Sequence, residues 1–410
     1  MKKRNLFIGC GLGLCLILIA SVAILVAKKQ SSQKRTFTVA FYDVDESIKN
    51  AISSLIKENN RNDDFEIAFY TISKSEELSE QIKKNRINII FAPAGYAAKK
   101  AVAVSNINSS INSEMLNGLF SSARESVITK DTNIRAVPLI LDNLEIDIEK
   151  SEFRMSGMNS IATWKDIEEF GSIQKNKIDF PFCFAGTDYV FLLDLLGALG
   201  EAFDGVDAYN SAAEILSQEA LFSSFDAKDT VNKLFINPDA PLPYSFYYLK
   251  KLAEKGYISP ASEYLKNTDV NSYLQQRVTN LIFTTLSTHR TYDIKAIDRF
   301  STIYVPSEKF PEQRHFTATI TYAVPVSNEK FDYSNNLIEY LVSTEAQTKL
   351  SNMTGLAPVL ANCPTPDHQA DDARYWIAAT STPLAGLGHE AELSDEQKEQ
   401  LRKAILDLLF

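Results

Sequence analysis

The sequence is poor in the residues from which disulfide frameworks, metal sites and stacking platforms are built. It holds four cysteines, four histidines and two tryptophans among 410 residues. Beyond the N-terminal region only Cys183 and Cys363 remain, and their wide separation in sequence leaves open whether they pair. The histidines have no His or Cys neighbour at the spacing of metal ligands; they stand at positions 289, 315, 368 and 389. We therefore predict no metal site.

Clustered positive charge and phosphate-binding loops are also missing. The formal net charge is −10, and no extended run of Lys or Arg follows residue 35. Because nucleic-acid binding needs a clustered basic face, we exclude nucleic acid as a partner. The chain has no glycine-rich phosphate loop and no nucleophile elbow, and spacing alone defines no acid–base pair of carboxylates. We therefore predict that the protein is not an enzyme and that it uses no cofactor.

Only one apolar run is long enough to cross a membrane. Residues 6–27 carry no charge and lie between a basic start (Lys2, Lys3, Arg4) and the pair Lys28 and Lys29. As a helix this run would measure about 33 Å, which matches a hydrocarbon core of about 30 Å. Its length favours an uncleaved anchor, although Ser21-Val22-Ala23 offers a cleavage site and a cleaved signal stays open. We predict a transmembrane helix and tether (1–35) and a body outside the cytoplasmic membrane, or in the periplasm after cleavage.

The body alternates strand and helix patterns, which is typical of a doubly wound α/β lobe. Apolar runs predict strands at 37–41, 65–70 and 87–92, and helical spacing of apolar residues predicts helices after Asp45 and Ser75. Further strands are predicted at 134–141, 144–148, 177–184, 278–284, 302–306 and 316–325. Further helices are predicted at 164–170, 189–199, 247–255, 331–342, 344–351 and from Ser394, where Gln397 completes a capping box.

Five short motifs occur in a fixed order along these elements. They are A-V-P-L at 136–139 with D-N-L at 142–144, T-W-K-D-I at 163–167, L-A-E-K-G-Y-I at 252–258, I-E-Y-L-V-S-T-E-A-Q at 338–347, and G-L-A-P-V at 355–359. Together with the order of elements, they resemble the extracellular solute-binding proteins of ABC importers, in the group that includes maltose-binding protein. The resemblance covers residue 37 to the carboxyl end.

This resemblance implies two doubly wound α/β lobes that close on a solute around a hinge. We expect lobe I at 36–141 and 312–360, and lobe II at 142–311 and 361–410. The sequence departs from the family where a glycine is usual, near 278–284, and where small glycine-rich residues are usual, near 316–322. Thr317, Thr319 and Thr321 stand there instead. Threonine narrows a cleft and adds hydroxyl groups, so the solute differs from that of relatives or binding has been lost.

We expect the binding residues in the loops beyond the carboxyl ends of the strands, because ligands of open α/β sheets bind there. Carboxylates accept hydrogen bonds from hydroxyl groups and aromatic rings cover apolar ring carbons, so these loops suit a carbohydrate-like ligand. The ligand-binding residues predicted from these loops are Tyr42, Asp43, Tyr96, Asp142, Asn143, Thr187, Asp188, Tyr189, Thr285 and His289. The resemblance adds Trp376, because some family members place a stacking aromatic residue in the corresponding region.

Structural roles stay open for several of these residues. Tyr42 could pack at a strand end, and Asp142 could tie the hinge down through backbone amides. His289 could be an exposed or capping histidine, and Trp376 a buried or rim aromatic residue.

Two functions compete at this stage, with a glycan-processing enzyme as a third alternative. The first is a membrane-tethered, monomeric receptor that delivers a small solute to an ABC permease. The second is a non-transporting cell-envelope interaction protein that keeps the fold without the ligand site. The sequence names neither the solute nor the permease.

Overall fold

The computed structural model describes residues 35–60, 65–222, 224–306 and 314–410. The predicted helix at 6–27 and the tether as far as residue 34 lie outside the described residues, so both stay predictions. Within the described ranges, no helix combines the length and the apolar character that crossing a bilayer requires.

The first part of the chain forms the predicted alternation of strands and helices. Its elements are β1 (Arg35–Phe41), α1 (Glu46–Asn59), β2 (Phe65–Thr71), α2 (Leu78–Asn85), β3 (Ile87–Pro93) and α3 (Tyr96–Val104). β1 lies between β2 and β3 and is parallel to both. Every residue of β3 is buried, as expected for a central strand covered on both faces. The helix predicted from Ser75 begins three residues later, at Leu78.

A single long strand connects the two halves of the molecule. After α4 (Ser121–Glu125) and β4 (Ile128–Lys130), the chain enters β5 (Asn133–Glu149), which unites the two strands predicted at 134–141 and 144–148. The first part of β5 pairs with β9 (Ala318–Pro325), whereas its last residues pair with β7 (Leu281–Thr285) and β8 (Phe300–Ile303). Asp142 therefore lies where β5 changes partners.

The second half of the chain is mainly helical around this short sheet. Its helices are α5 (Lys150–Ser156), α6 (Trp164–Lys175), α7 (Tyr189–Asp204), α8 (Val206–Ala220), α9 (Ala227–Val231), α10 (Pro243–Glu254), α11 (Asn267–Gln276), α12 (Leu286–His289) and α13 (Ile294–Ile297). The strand predicted at 177–184 is reduced to β6 (Phe182–Cys183). The amide groups of Lys177 and Ile178 bond back to Gln174 at the end of α6, and Pro181 has no amide donor for a strand ladder.

The chain returns to the first sheet and then ends on the second half. β9 leads to α14 (Phe331–Leu341), α15 (Thr344–Thr354), β10 (Ala357–Pro358), α16 (His368–Ala378) and α17 (Asp395–Leu409). The predicted capping box at Ser394 and Gln397 opens α17. The described strands follow the order β2-β1-β3-β9-β5-β7-β6, which is a mixed sheet with helices and confirms the α/β class.

Separate hydrophobic cores support the two ends of this sheet. One core surrounds β1, β3 and β9, and it includes Ala373 and Ile377 of α16, a helix that we had grouped with lobe II. The second surrounds α7, α10 and α17 and includes Leu387. A smaller core on the opposite face of β7 contains Cys183. Cys183 and Cys363 are both free, and they are buried in different cores. The lobe boundaries themselves stay a prediction.

Candidate functional site

A cleft lies between the two cores where β5 changes partners. Its free volume is about 530 Å³. The loop after β1 and the start of α1 form one wall, from Asp43 to Ile48, and the start of α7 and the turn after β7 form the other. Thr319 and Thr321 of β9 line its floor together with Asp142. Both halves of the chain therefore face this space.

The walls of the cleft carry an excess of acidic groups. Among the described residues that line the cleft, Lys398 is the only Lys or Arg, and His389 is the only histidine. Hydroxyl groups come from both walls and the floor. The lining carboxylates belong to Asp43, Asp45, Glu46, Asp142, Asp188 and Asp194.

Burial changes the protonation of several of these groups. It raises the pKa of Asp142 to about 7, against the opposing effect of hydrogen bonds from Ser287. Burial likewise raises the pKa of Asp45, Asp188 and Asp194 above the usual range of aspartate. Burial lowers the pKa of His389 to about 4, so its imidazole is neutral at pH 7. Near neutral pH the cleft therefore offers both hydrogen-bond donors and acceptors.

Four of the predicted ligand-binding residues line the cleft, namely Asp43, Asp142, Asp188 and Thr285. Asp43 forms an ion pair with Lys74 at 2.7 Å, and Asp142 accepts a hydrogen bond of 2.8 Å from the Ser287 amide. Asp188 caps α7 by accepting from the Phe191 amide, and Thr285 caps α12. Each of these four residues thus has a hydrogen-bond or ion-pair partner within the chain.

The predicted tyrosines contact a segment of the chain itself. Residues 386–393, which we call the cleft segment, run between α16 and α17 beside the cleft. The Tyr42 hydroxyl donates to Glu392 at 2.8 Å, and the Tyr96 hydroxyl also donates to Glu392. Lys100 reaches the same carboxylate at 2.8 Å, while Tyr189 donates to the Gly388 carbonyl at 3.2 Å.

The cleft segment is packed closely against the start of α3 on one side and against α7 on the other. At Gly95, which opens α3 with a φ of +88°, an added Cβ would lie 2.3 Å from the His389 carbonyl oxygen. On the other side, Asp194 of α7 accepts a hydrogen bond of 2.8 Å from the Gly388 amide. Sequence reasoning missed Glu392, because an isolated glutamate before a helix cap carries no pattern that indicates its partners.

The other predicted residues lie elsewhere. Asn143 is buried in β5, and Thr187 donates to the Leu265 carbonyl at 2.8 Å in a neighbouring surface groove. Trp376 of α16 is half-buried and packs edge-on against Tyr304. His289 is buried next to Asp147, with a distance of 2.7 Å between His289 Nδ1 and Asp147 Oδ2. None of these four lines the cleft in the described part of the chain.

Comparisons with solved structures show the same fold. A bacterial solute receptor, AcbH, described as having an exclusive preference for β-D-galactopyranose, matches with a TM-score of 0.68 and 14% identity over 92% of this chain and 98% of that chain. The binding protein MsmE of Bacillus subtilis in an open conformation matches with a TM-score of 0.67 and 12% identity, over 92% and 93% of the two chains.

Sequence comparison with curated proteins found no significant match. A family model for bacterial extracellular solute-binding proteins, however, matches residues 87–375, well over half of the chain. This confirms the resemblance drawn from the motifs. The chain belongs to the bacterial extracellular solute-binding protein family.

Proposed function

We propose that this protein binds a small, hydroxyl-rich solute between its two lobes and delivers it to an ABC importer from outside the cytoplasmic membrane. The N-terminal apolar run holds it at the bilayer in this proposal. The main supporting observation is the cleft of about 530 Å³ whose lining comes from both halves of the chain, at the point where β5 passes from one to the other. The family and the fold agree with this role.

The chemistry of the cleft favours a carbohydrate-like solute. Threonine and serine hydroxyl groups and aspartate carboxyl groups can form paired hydrogen bonds with the hydroxyl groups of a sugar. Structural neighbours described as bound to raffinose and to maltose support the same class, with TM-scores of 0.60 and 0.58. Phe191 is the single aromatic residue in the lining that the described ranges provide. Binding therefore depends on hydrogen bonds more than on ring stacking.

A second candidate function rests on Glu392. Because Tyr42 and Tyr96 both donate to this carboxylate, two of the side chains predicted to bind a ligand are already engaged by the chain itself. This arrangement favours a non-transporting envelope protein in which the cleft segment holds the two lobes together. The same binding experiment separates the two functions.

The experiment is calorimetry of the full-length protein against neutral sugars, amino sugars, polyols and short peptides. The first proposal predicts one solute that binds at micromolar affinity. Ser47→Trp, which places a bulky ring at the cleft wall, should abolish binding. Asn50→Trp on the exposed side of the same helix is the matched control and should bind normally. No binding across the panel would favour the second function, and equal binding by Ser47→Trp would place the solute outside the cleft.

A further inference from the structure

A second group of polar side chains is buried behind the cleft, on the opposite side of the hinge. Glu145 and Asp147 are two residues apart on β5, so their side chains lie on the same face of the strand, and both are fully buried. His289 at the end of α12 brings Nδ1 within 2.7 Å of Asp147 Oδ2 and 3.3 Å of Glu145 Oε1. These separations are close to the roughly 3 Å expected between ligands that share an ion at about 2.0–2.2 Å.

Two more side chains complete this cluster. Thr302 of β8 donates to Asp147 Oδ1 at 2.7 Å. The amide of Gln369, on α16, lies 2.7 Å from Glu145 Oε1 and 2.9 Å from His289 Nδ1. α16 packs on the first core, whereas His289 and Thr302 belong to the region around β7 and β8. The cluster therefore joins elements from both halves of the molecule.

The charges within the cluster do not balance. When both carboxylates are ionised, they bring two negative charges, and one imidazole supplies at most one positive charge. Neither carboxylate forms an ion pair with a lysine or arginine in the described ranges. The nearby Arg290 pairs instead with Asp367 at 2.6 Å, and Lys150 donates to the Asp298 carbonyl. An uncompensated buried charge is costly, and a bound cation would remove that cost for the ionised carboxylates.

Asn143 gives a separate indication of a missing partner. Its side chain is 4% exposed, and its Nδ2 lies 3.4 Å from Glu145 Oε2. Its Oδ1 has no hydrogen-bond partner in the described part of the chain. An amide oxygen can bind a metal ion directly, or it can accept a hydrogen bond from a water molecule that the ion binds. A surface cavity of about 530 Å³, lined by His289, Thr302 and Gln369, gives an ion a path to the cluster.

We propose that Glu145, Asp147 and His289 bind one divalent transition-metal ion, with Gln369 and Thr302 at the edge of its coordination sphere. The three residues are close enough to share one ion. One imidazole nitrogen and two carboxylate oxygens form a mixed donor set that suits Zn²⁺ or Mn²⁺ better than Ca²⁺. A dication with a neutral imidazole cancels the charge of the two carboxylates. The site shares no residue with the lining of the cleft, so it stands independently of the proposed function.

The test uses full-length protein stripped of metal with a chelator. Zn²⁺ and Mn²⁺ titrations should show one ion bound per chain, and Co²⁺ should give visible absorption bands of a nitrogen and oxygen site. Asp147→Asn and His289→Gln should each weaken Zn²⁺ binding at least about tenfold. His368→Gln removes an exposed histidine at the rim of the same cavity and should bind like the unchanged protein.

Absence of a bound ion in the unchanged protein would overturn the proposal, as would equal binding by His289→Gln. Circular dichroism checks that each variant is folded. If both cluster variants fail to fold, nuclear magnetic resonance of the unchanged protein with ¹⁵N-labelled histidine decides. Zn²⁺ must then shift the Nδ1 resonance of one histidine, and the same shift must be seen in His368→Gln. If Zn²⁺ causes no such shift, the site is refuted.

Discussion

Removing the carboxylate of Glu392 should loosen the contact of the cleft segment with the end of β1 and with α3. Tyr42, Tyr96 and Lys100 all bond to this one side chain, although Tyr42 follows β1 and the other two residues lie on α3. Those hydrogen bonds outweigh the opposing effect of burial and lower the pKa of Glu392 below its usual range. At neutral pH the group is therefore charged, and its loss should be felt at all three partners.

The expected size of the effect follows from burial. Hydrogen bonds to charged groups contribute about 1.5–3 kcal/mol each when buried, whereas exposed ion pairs contribute about 0–1 kcal/mol. The Glu392 side chain is 28% exposed and Tyr42 is 2% exposed, so the pair lies between these limits. We expect Glu392→Ala to reduce the free energy of unfolding by about 2–3 kcal/mol, partly because the Tyr42 hydroxyl loses its acceptor.

Chemical denaturation measures this change. Glu345→Ala is the matched control, because Glu345 pairs with Lys349 at an exposed helix surface and should cost only about 0.5 kcal/mol. A double-mutant cycle with Tyr42→Phe should give a coupling energy of about 1 kcal/mol. The reasoning is refuted if Glu392→Ala is no more destabilising than the control, or if the cycle shows no coupling.

Three further predictions follow from other contacts. Gly95→Ala should lower the free energy of unfolding by at least about 2 kcal/mol more than Gly157→Ala does. Both glycines have a positive φ, but only the Cβ at position 95 would meet the His389 carbonyl. Chemical denaturation of both variants measures the difference. Burial lowers the pKa of His389 from 6.5 to about 4, so the folded protein holds this imidazole neutral. The free energy of unfolding should therefore be unaffected by this group above pH 6.5 and should fall by up to about 3 kcal/mol between pH 6.5 and 4. His389→Gln should flatten that part of the stability curve, and an unchanged curve would contradict the assignment. A solute bearing an amine should bind the acidic cleft about tenfold more tightly than its carboxylate analogue at low salt, and calorimetry should show this preference shrinking as salt is added.

Periodic patterns predicted the strands and helices that are buried on well-defined faces. The stripe Ile48, Ala51, Ile52, Leu55 and Ile56 is buried along α1, as its helical spacing requires. The alternation from Leu144 to Glu149 was less informative, because an acidic face on a strand usually meets water. Here Glu145 and Asp147 are fully buried, since α12 and α16 place His289 and Gln369 over that face.

The candidate site was harder to predict, because its partners come from distant parts of the sequence. Asp142 and Thr285 line the cleft, and both could be predicted because ligands of open α/β sheets bind at the ends of the strands. Glu392 is about 350 residues away from Tyr42, and no local pattern links the two. Tyr42, Tyr96 and His289 each have a hydrogen-bond partner within the chain. Their roles as solute contacts stay predictions.

Hydrogen exchange of the full-length protein, with and without the tightest-binding solute of the panel, tests most directly whether the solute is held between the lobes. The account predicts slower exchange at 43–48 on one wall and at 188–194 on the other, with the same dependence on solute concentration. Slower exchange on one wall alone, or at neither, would contradict it.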